Sequence, residues 1–229
     1  MKLTFLGHSA FRIEAGGAVI LIDPFLRGNG SFEASGMAWD DAVTGATHVV
    51  LSHGHDDHIG DTVEICKSQG AVLYATYELG AHLSSEGVET FEPMNTGGTV
   101  ERDGIKVSLT DALHSSSSGG RYLGNPNGIV LRGEAMPTVY HMGDTDVFPG
   151  MAHVQDLYQP QVGIVPIGDR FTMGAEGAAL ACNTYFEFQT IVPCHYKTFP
   201  ILAQSADDFV SAIGGSGIDV MEPGATITL

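Results

Sequence analysis

Residues 47–61 read Thr-His-Val-Val-Leu-Ser-His-Gly-His-Asp-Asp-His-Ile-Gly-Asp, and this stretch decides the fold of the chain. The apolar run 49–51 predicts a buried strand that ends at Ser52. Residues 57–68 predict a helix, because apolar side chains recur along one face and aspartates precede it. Between strand and helix lies a turn with the pattern H-x-H-x-D-H, which consists of His53, His55, Asp57 and His58.

The four polar side chains of this turn are all of a type that binds zinc-class metals. Residues two apart on an extended segment point the same way, so His53 and His55 are expected to share one ion. Asp57 and His58 lie on the following turn and are expected to serve a second ion. A single loop histidine is usually a solvated surface group, but three histidines and an aspartate within six residues favour a metal centre.

Composition limits the class of protein. The 229 residues suit one α/β domain, 1–229, with a sizeable core; 43% are hydrophobic and 30 are glycine. No apolar run is long enough to span a membrane, and the N-terminus lacks a signal-peptide layout. The three cysteines form no C-x-x-C pair, which fits a reduced cytoplasmic setting. Cys194 adjoins His195, and it is either near a metal or simply a small buried residue.

The charge balance argues against polyanionic partners. Ten lysines and arginines face 27 aspartates and glutamates, which gives a formal charge of −17. Such a surface weighs against non-specific binding to nucleic acid or to an anionic membrane. A small-molecule substrate is therefore expected, and a homo-oligomer is left open.

The H-x-H-x-D-H pattern resembles the signature of the metallo-β-lactamase superfamily, a group of mostly binuclear hydrolases. Two more segments resemble particular groups within this superfamily. Gly-His-Ser-Ala-Phe at 7–11 is similar to the ascorbate-6-phosphate lactonase-like branch. Pro-Ile-Gly-Asp-Arg-Phe-Thr-Met-Gly at 166–174 resembles the UPF0173 metal-dependent hydrolases. The resemblance covers essentially the whole chain and implies the four-layer αββα sandwich of the superfamily, whereas composition gives only α/β.

The resemblance also implies a complete set of ligands for two divalent metals. His114 precedes a serine- and glycine-rich loop, Asp144 lies in a Gly-Asp turn, and His195 follows a strand. Asp144 is expected to bridge the metals, with Asp146 as a weaker candidate. Zinc is the first expectation, and manganese, iron and nickel stay open. The first metal would bind His53, His55 and His114, and the second would bind Asp57, His58 and His195.

Further residues are expected around the metals. Asp57 and Asp144 are the expected catalytic residues, with Asp57 steering the attacking water or protonating the leaving group. Thr172 is alternatively the N-cap of a helix at 175–184, and His8 is alternatively a turn residue without a role. The loop 24–40 predicts a flap or substrate wall, or else a dimer contact. Substrate-contacting or ligand-orienting roles are expected for His8, Asp23, His141, Asp169, Arg170 and Thr172.

Three functions compete. The first is a hydrolase that uses a metal-bridging hydroxide on a small ester, lactone or phosphorylated metabolite. It is supported by the full ligand set and by the lactonase-like opening. His55 stands where flavodiiron-type relatives carry glutamate, which favours hydrolysis over oxygen reduction. The second is a ribonuclease Z-like phosphodiesterase or nuclease, which the charge of −17 disfavours. The third is a non-catalytic metal-binding protein with the same fold.

Overall fold

The computed structural model describes residues 1–134 and 136–229. In its first half, three short antiparallel strands lead into strands that alternate with helices. The elements of this half are β1 (Lys2–Gly7), β2 (Ala10–Ala15), β3 (Ala18–Ile22), α1 (Gly30–Ser35), α2 (Trp39–Val43), β4 (His48–Val50), α3 (Asp56–Ile59), α4 (Thr62–Gln69), β5 (Val72–Thr76), α5 (Tyr77–Ser85) and β6 (Phe91–Met94).

The second half opens with a hairpin and continues with strands that helices connect. Its elements are β7 (Thr99–Arg102), β8 (Ile105–Asp111), β9 (Ser117–Ser118), β10 (Arg121–Tyr122), β11 (Asn127–Gly133), β12 (Met136–His141), α6 (Met151–Tyr158), β13 (Val162–Pro166), α7 (Ala175–Tyr185), β14 (Thr190–Cys194), α8 (Asp207–Ile213) and β15 (Thr226–Thr228).

Two large mixed sheets form the centre of the molecule. One has the strand order β15-β1-β2-β3-β4-β5-β6, and the other has the order β14-β13-β12-β11-β8-β7. In the first sheet β3 to β6 run parallel, and in the second β12 to β14 run parallel. Parallel neighbours need crossover connections, which the helices supply. The carboxyl ends of these parallel strands therefore collect at one edge of each sheet.

Three apolar clusters show how the layers stack. One cluster joins the facing sides of both sheets, with Ile13 and Ile22 from the first sheet and Val107 and Ile129 from the second. A second cluster packs the helices of the first half on the outer face of the first sheet. A third packs α6, α7 and α8 on the second sheet. This arrangement confirms the predicted α/β fold and its αββα sandwich.

The predicted helix 57–68 is wrong in one respect, because the chain breaks it into α3 and α4. Gly60 adopts φ 43° and ψ −122°, a conformation open mainly to glycine. An added Cβ at Gly60 would overlap the backbone of Pro24 and Phe25. The break lets the 24–25 segment pack directly against the helix pair that follows the H-x-H-x-D-H turn.

Gly60→Ala is expected to lower the free energy of unfolding by about 3 kcal/mol, because it combines a strained φ with a steric overlap. Gly16→Ala is the matched control: Gly16 also has a positive φ, 59°, but open space surrounds it. That change is expected to cost about 1 kcal/mol. Urea denaturation of both variants measures the difference, and equal losses would show that the overlap at residue 60 is relieved without cost.

The segment 24–40 differs from the structureless loop that the sequence predicts. It contains α1 and α2, and its apolar side chains pack against the cluster on the outer face of the first sheet. Phe32 is buried there, and Met37 and Trp39 are partly buried against the same cluster. Arg27 also stacks over the Trp39 ring, 4.4 Å from its centroid. These residues hold the segment to the domain, whereas the ring of Phe25 lies beside His8, with ring centroids 6.0 Å apart.

The C-terminal region contains a second difference. Residues 217–221, which the sequence predicts as a strand, make only an isolated bridge between Ile218 and Ile191. Residues 226–228 do form β15, which pairs with β1 at the edge of the first sheet.

The described residues contain no helix with the length and apolarity that a membrane span requires.

Candidate metal centre

The two sheets meet at the carboxyl ends of their strands, where all seven predicted ligands lie. The backbone N–H of Asn127 donates to the carbonyl of Ser52 over 3.0 Å, and the N–H of His195 donates to the carbonyl of His8 over 2.8 Å. These two bonds join the two sheets: Ser52 and His8 follow strands of the first sheet, whereas Asn127 begins β11 and His195 follows β14 of the second. The ligand-bearing turns are therefore fixed by backbone hydrogen bonds between the sheets.

The predicted ligands form overlapping groups whose donor atoms lie within 4.8 Å of one another. His53, His55 and His114 form one group, which matches the expected first metal set. His53, His58 and Asp144 form a linking group. The remaining group contains the expected second set together with one further histidine, and consists of His8, Asp57, His58 and His195.

Asp144 lies between the two sets. Its Oδ1 is 3.3 Å from His58 Nε2, and its Oδ2 is 3.1 Å from His195 Nε2 and 3.5 Å from His114 Nε2. The carboxylate is buried, and it reaches histidines of both sets. This placement is what a bridging carboxylate needs. Asp146, the weaker candidate, is exposed and accepts a hydrogen bond from the N–H of Val147 instead.

Unpaired buried atoms show that the residues fit a metal. His58 Nε2, His195 Nε2 and Asp144 Oδ1 are buried and lie in the close ion-pair contacts given above, but none of them makes a hydrogen bond of normal geometry among the described residues. A buried polar atom without a hydrogen bond lowers the stability of the fold, so binding of a ligand to these atoms would be favourable. Imidazole nitrogens and carboxylate oxygens are the donors that zinc-class ions take. The donor set therefore fits divalent metal ions.

Asp23 and Ser52 orient the ligand histidines. The Asp23 carboxylate accepts from His58 Nδ1 over 2.7 Å and from the hydroxyl and backbone N–H of Ser52 over 2.6 and 2.8 Å. Because the Ser52 hydroxyl donates to Asp23, its oxygen is left to accept from His53 Nδ1, 2.9 Å away. Both histidines thus carry the proton on Nδ1 and direct Nε2 at the centre. The expected orienting role of Asp23 agrees with this geometry.

Opposite charges control the protonation of the buried pair His58 and Asp144. Burial alone would lower the pKa of His58, but the carboxylates of Asp144 and Asp23 outweigh it and raise that pKa well above its usual value. Burial would raise the pKa of Asp144, but His195 and His58 hold it well below its ordinary range. Metal-free His58 therefore keeps a proton at neutral pH, which a metal must displace.

Metal affinity is expected to rise by about tenfold per pH unit below the raised pKa of His58, because binding releases the His58 proton. The sign follows from the raised pKa of His58: below it the competing proton is present, and above it the competition ends. The pKa of His53 is lowered by burial and by His58, so that residue contributes no such proton. Calorimetric zinc titration in two buffers of different ionisation enthalpy measures the release, and a pH-independent affinity would contradict it.

His141 supports the turn that presents Asp144. Its Nε2 donates to the carbonyl of Ser9 over 3.1 Å, and its Nδ1 accepts from the N–H of Gly143 over 3.0 Å. Burial lowers the pKa of His141, which keeps the ring neutral and fixes this tautomer. Gly143 has φ 67°, and an added Cβ there would overlap the carbonyl oxygen of Asn127.

The loop 168–174 lies beside His195 but presents its polar side chains outward. Asp169 and Arg170 are exposed, and their substrate-contacting role stays a prediction. The alternative N-cap role of Thr172 is wrong, because Gly174 occupies that position and the Thr172 hydroxyl donates to the carbonyl of Met173.

Cys194 packs in the apolar cluster between the two sheets. Of the two alternatives for this residue, the structure therefore agrees with a small buried residue.

Sequence reasoning missed two residues of the centre, Ser52 and Thr198. Ser52 links Asp23 to His53, and its signal was its position directly between the strand and the first histidine. Thr198 Oγ1 lies 3.1 Å from His8 Nδ1. The two residues are 190 positions apart in the sequence, so no local sequence pattern predicts this contact.

Strained backbone surrounds the centre. Non-glycine residues rarely adopt positive φ, and where they do the strain is often tied to function. Of the eight such residues in the described part of the chain, six lie just beyond strand ends next to the ligands. These are His8, Asp23, Asp169, Arg170, His195 and Lys197.

Comparisons with known proteins agree with this geometry. Residues 2–195 match the family model of the beta-lactamase superfamily domain. A UPF0173 metal-dependent hydrolase of Methylocella silvestris is 56% identical over 227 residues, which cover 97% of each chain. One from Brucella anthropi is 54% identical over 218 residues, covering 93% of this chain and 92% of the relative.

Solved structures show the same fold. A metallo hydrolase from Ignicoccus hospitalis superposes with a TM-score of 0.88 at 35% identity, covering 99% of this chain and 97% of that one. An isothiocyanate hydrolase from Delia radicum gut bacteria has a TM-score of 0.76 at 21% identity over 100% and 99%, and shows the fold alone. The family match, the identities above 50% and the cluster of histidines and aspartates lead to one conclusion: the chain belongs to the UPF0173 metal-dependent hydrolases of the beta-lactamase superfamily.

Proposed function

We propose that this metal-dependent hydrolase holds two divalent ions and cleaves a small ester, lactone or phosphorylated metabolite. The observation that carries the proposal is the position of Asp144, whose two carboxylate oxygens reach histidines of both ligand sets. Zinc is the expected metal, because most of the donors are imidazole nitrogens. His53, His55 and His114 would hold one ion, and Asp57, His58 and His195 the other.

Two divalent ions, when bound, would supply a water of lowered pKa and would polarise the carbonyl or phosphoryl oxygen of the substrate. The chain provides the rest. Asp144 contacts histidines of both ligand sets. Asp23 and Ser52 fix the orientation of His58 and His53 through hydrogen bonds. Asp57, whose side chain is 31% exposed, is the acidic group of the centre that reaches solvent. It is therefore the residue placed to steer the attacking water or to pass a proton to the leaving group.

The two alternative functions have less support. A non-catalytic role conflicts with membership of a family of metal-dependent hydrolases. A ribonuclease Z-like activity would require a basic surface for RNA, and the chain carries a formal charge of −17. A small-molecule substrate is the proposal that these observations favour.

The test is a substrate screen on protein loaded with zinc or manganese. We expect hydrolysis of 4-nitrophenyl acetate, of a γ-lactone or of bis(4-nitrophenyl) phosphate, with loss of the rate in Asp57→Ala. A structured RNA serves as the competing substrate. Cleavage of RNA with a salt-dependent affinity, and no hydrolysis of the three small compounds, would move the function to the nuclease.

A further inference from the structure

His8 lies within the centre but outside the expected ligand sets. The side chain is fully buried, and its donor atom groups with those of Asp57, His58 and His195. Its ring lies 4.1 Å from the ring of His195, centroid to centroid. A residue in this position is either an additional metal ligand or a group that acts through a ligand.

The hydrogen bonds of His8 distinguish these two roles. Its Nε2 lies 3.1 Å from Asp57 Oδ2, and its Nδ1 lies 3.1 Å from Thr198 Oγ1. A carboxylate only accepts, so Nε2 carries the proton and donates to Asp57. In the neutral ring Nδ1 is then left to accept. The single proton of the Thr198 hydroxyl has two acceptors within reach, His8 Nδ1 at 3.1 Å and the Tyr196 carbonyl at 3.3 Å, and the shorter contact is the one to Nδ1. Both nitrogens are therefore engaged, whereas Nε2 of His58 and of His195 have no hydrogen-bond partner in the described residues.

The surroundings of His8 hold it in this orientation. The preceding residue, Gly7, has φ 99° and packs so closely against α1 that an added Cβ would lie 3.1 Å from the backbone nitrogen of Phe32. The carbonyl of His8 is tied to the N–H of His195. The rings of Phe25 and Phe199 stand edge-on to its imidazole at 6.0 and 5.3 Å. The imidazole is thus fixed before any metal or substrate binds.

We propose that His8 is a positioning residue that fixes the Asp57 carboxylate through Nε2–H, so that Oδ1 is left for the second metal and its water, and that Thr198 holds the imidazole in the required tautomer. The inference rests on the proposed binuclear function, because it assigns the partner of one expected ligand. Residues that hold a metal ligand in this way usually alter metal affinity or activity by 10- to 100-fold when they are removed, an approximate range.

Two substitutions of His8 separate the donor to Asp57 from the rest of the ring. The amide nitrogen of a Gln side chain lies about as far from the backbone as Nε2 of histidine. The amide nitrogen of Asn lies only about as far out as Nδ1. His8→Gln therefore keeps a donor for Asp57, and His8→Asn removes it. Thr198→Val leaves His8 in place and removes the bond at Nδ1. Thermal denaturation confirms that each variant is folded.

With the small compound that the wild-type protein hydrolyses, kcat is expected to fall by about 10- to 100-fold in His8→Asn, with KM nearly unchanged. His8→Gln is expected to recover most of this loss, and Thr198→Val to lose about fivefold, the value of one ordinary hydrogen bond. All three variants are expected to bind two zinc ions per chain. Loss of one zinc in His8→Asn would make His8 a ligand, and equal impairment of the Asn and Gln variants, or wild-type kcat in His8→Asn, would overturn the positioning role.

Cobalt substitution separates a failure of this inference from a failure of the proposed function, because it requires no turnover. The visible absorption of bound cobalt is expected to change in His8→Asn and to stay close to wild type in His8→Gln. A protein that hydrolyses none of the compounds but shows this pattern keeps the role of His8 and loses the proposed substrate class. Identical spectra in all variants would overturn the role of His8 whatever the substrate.

Discussion

Asp144→Asn is expected to lower kcat/KM by at least about a thousandfold. The carboxylate reaches histidines of both ligand sets, and an amide supplies one neutral oxygen where two charged oxygens are needed. Metal ions contribute several kcal/mol of transition-state stabilisation, and a loss of about 4 kcal/mol corresponds to about a thousandfold in rate. Metal content per chain is expected to fall with the activity.

The matched control is Asp146→Asn, two residues along the same turn. Asp146 is exposed and its side chain accepts only from the N–H of Val147, so its substitution is expected to leave kcat/KM within about twofold. Steady-state kinetics and elemental analysis of both variants make the comparison. Full activity in Asp144→Asn, or a larger loss in Asp146→Asn, would show that the bridging carboxylate has been assigned to the wrong residue.

Asp23→Ala is expected to lower the free energy of unfolding of the metal-free protein by about 3–5 kcal/mol. The change removes a fully buried carboxylate that pairs with His58 and accepts two bonds from Ser52, and a buried pair broken on one side costs about that much. It also frees His58 to rotate, so metal affinity is expected to fall by about 10- to 100-fold.

Asp23→Asn serves as the control for this prediction. Asparagine tolerates the positive φ of 43° at this position and keeps an oxygen for the N–H of Ser52. Its loss of stability is expected to be less than half that of Asp23→Ala. Guanidinium denaturation of chelator-treated protein gives the stabilities, and a zinc competition assay gives the affinities. Equal stabilities of Asp23→Ala and the wild type would mean that the Asp23 contacts are offset by the cost of burying the charge.

The position of the centre follows from local sequence to a large extent. The apolar strand before His53 and the strand ends before His114, Asp144 and His195 place these ligands at the carboxyl edge of two sheets, and the structure brings them together there. Such edges are where parallel strands leave their following residues. The pairing of the two sheets into four layers came from the family resemblance, because periodicity alone does not tell which faces meet.

The remaining features depend on contacts between distant segments. Gly60 breaks the predicted helix because Pro24 and Phe25 pack against it, and nothing between residues 57 and 68 indicates that neighbour. The sequence of 24–40 predicts a flap, a substrate wall or a dimer contact, whereas Arg27 and the cluster on the outer face of the first sheet hold Trp39 of this segment to the domain. His8 meets Asp57 across 49 positions of sequence. Tertiary packing, which has no periodic signature, decides all of these.

We expect this chain to hold two metals that share one carboxylate, and elemental analysis tests this expectation most directly. Wild-type protein and His195→Ala would be purified without chelator, incubated with excess zinc or manganese, freed of unbound metal and analysed for metal per chain. We expect about two metals in the wild type and about one in His195→Ala. One metal or none in the wild type, or two in His195→Ala, would contradict it.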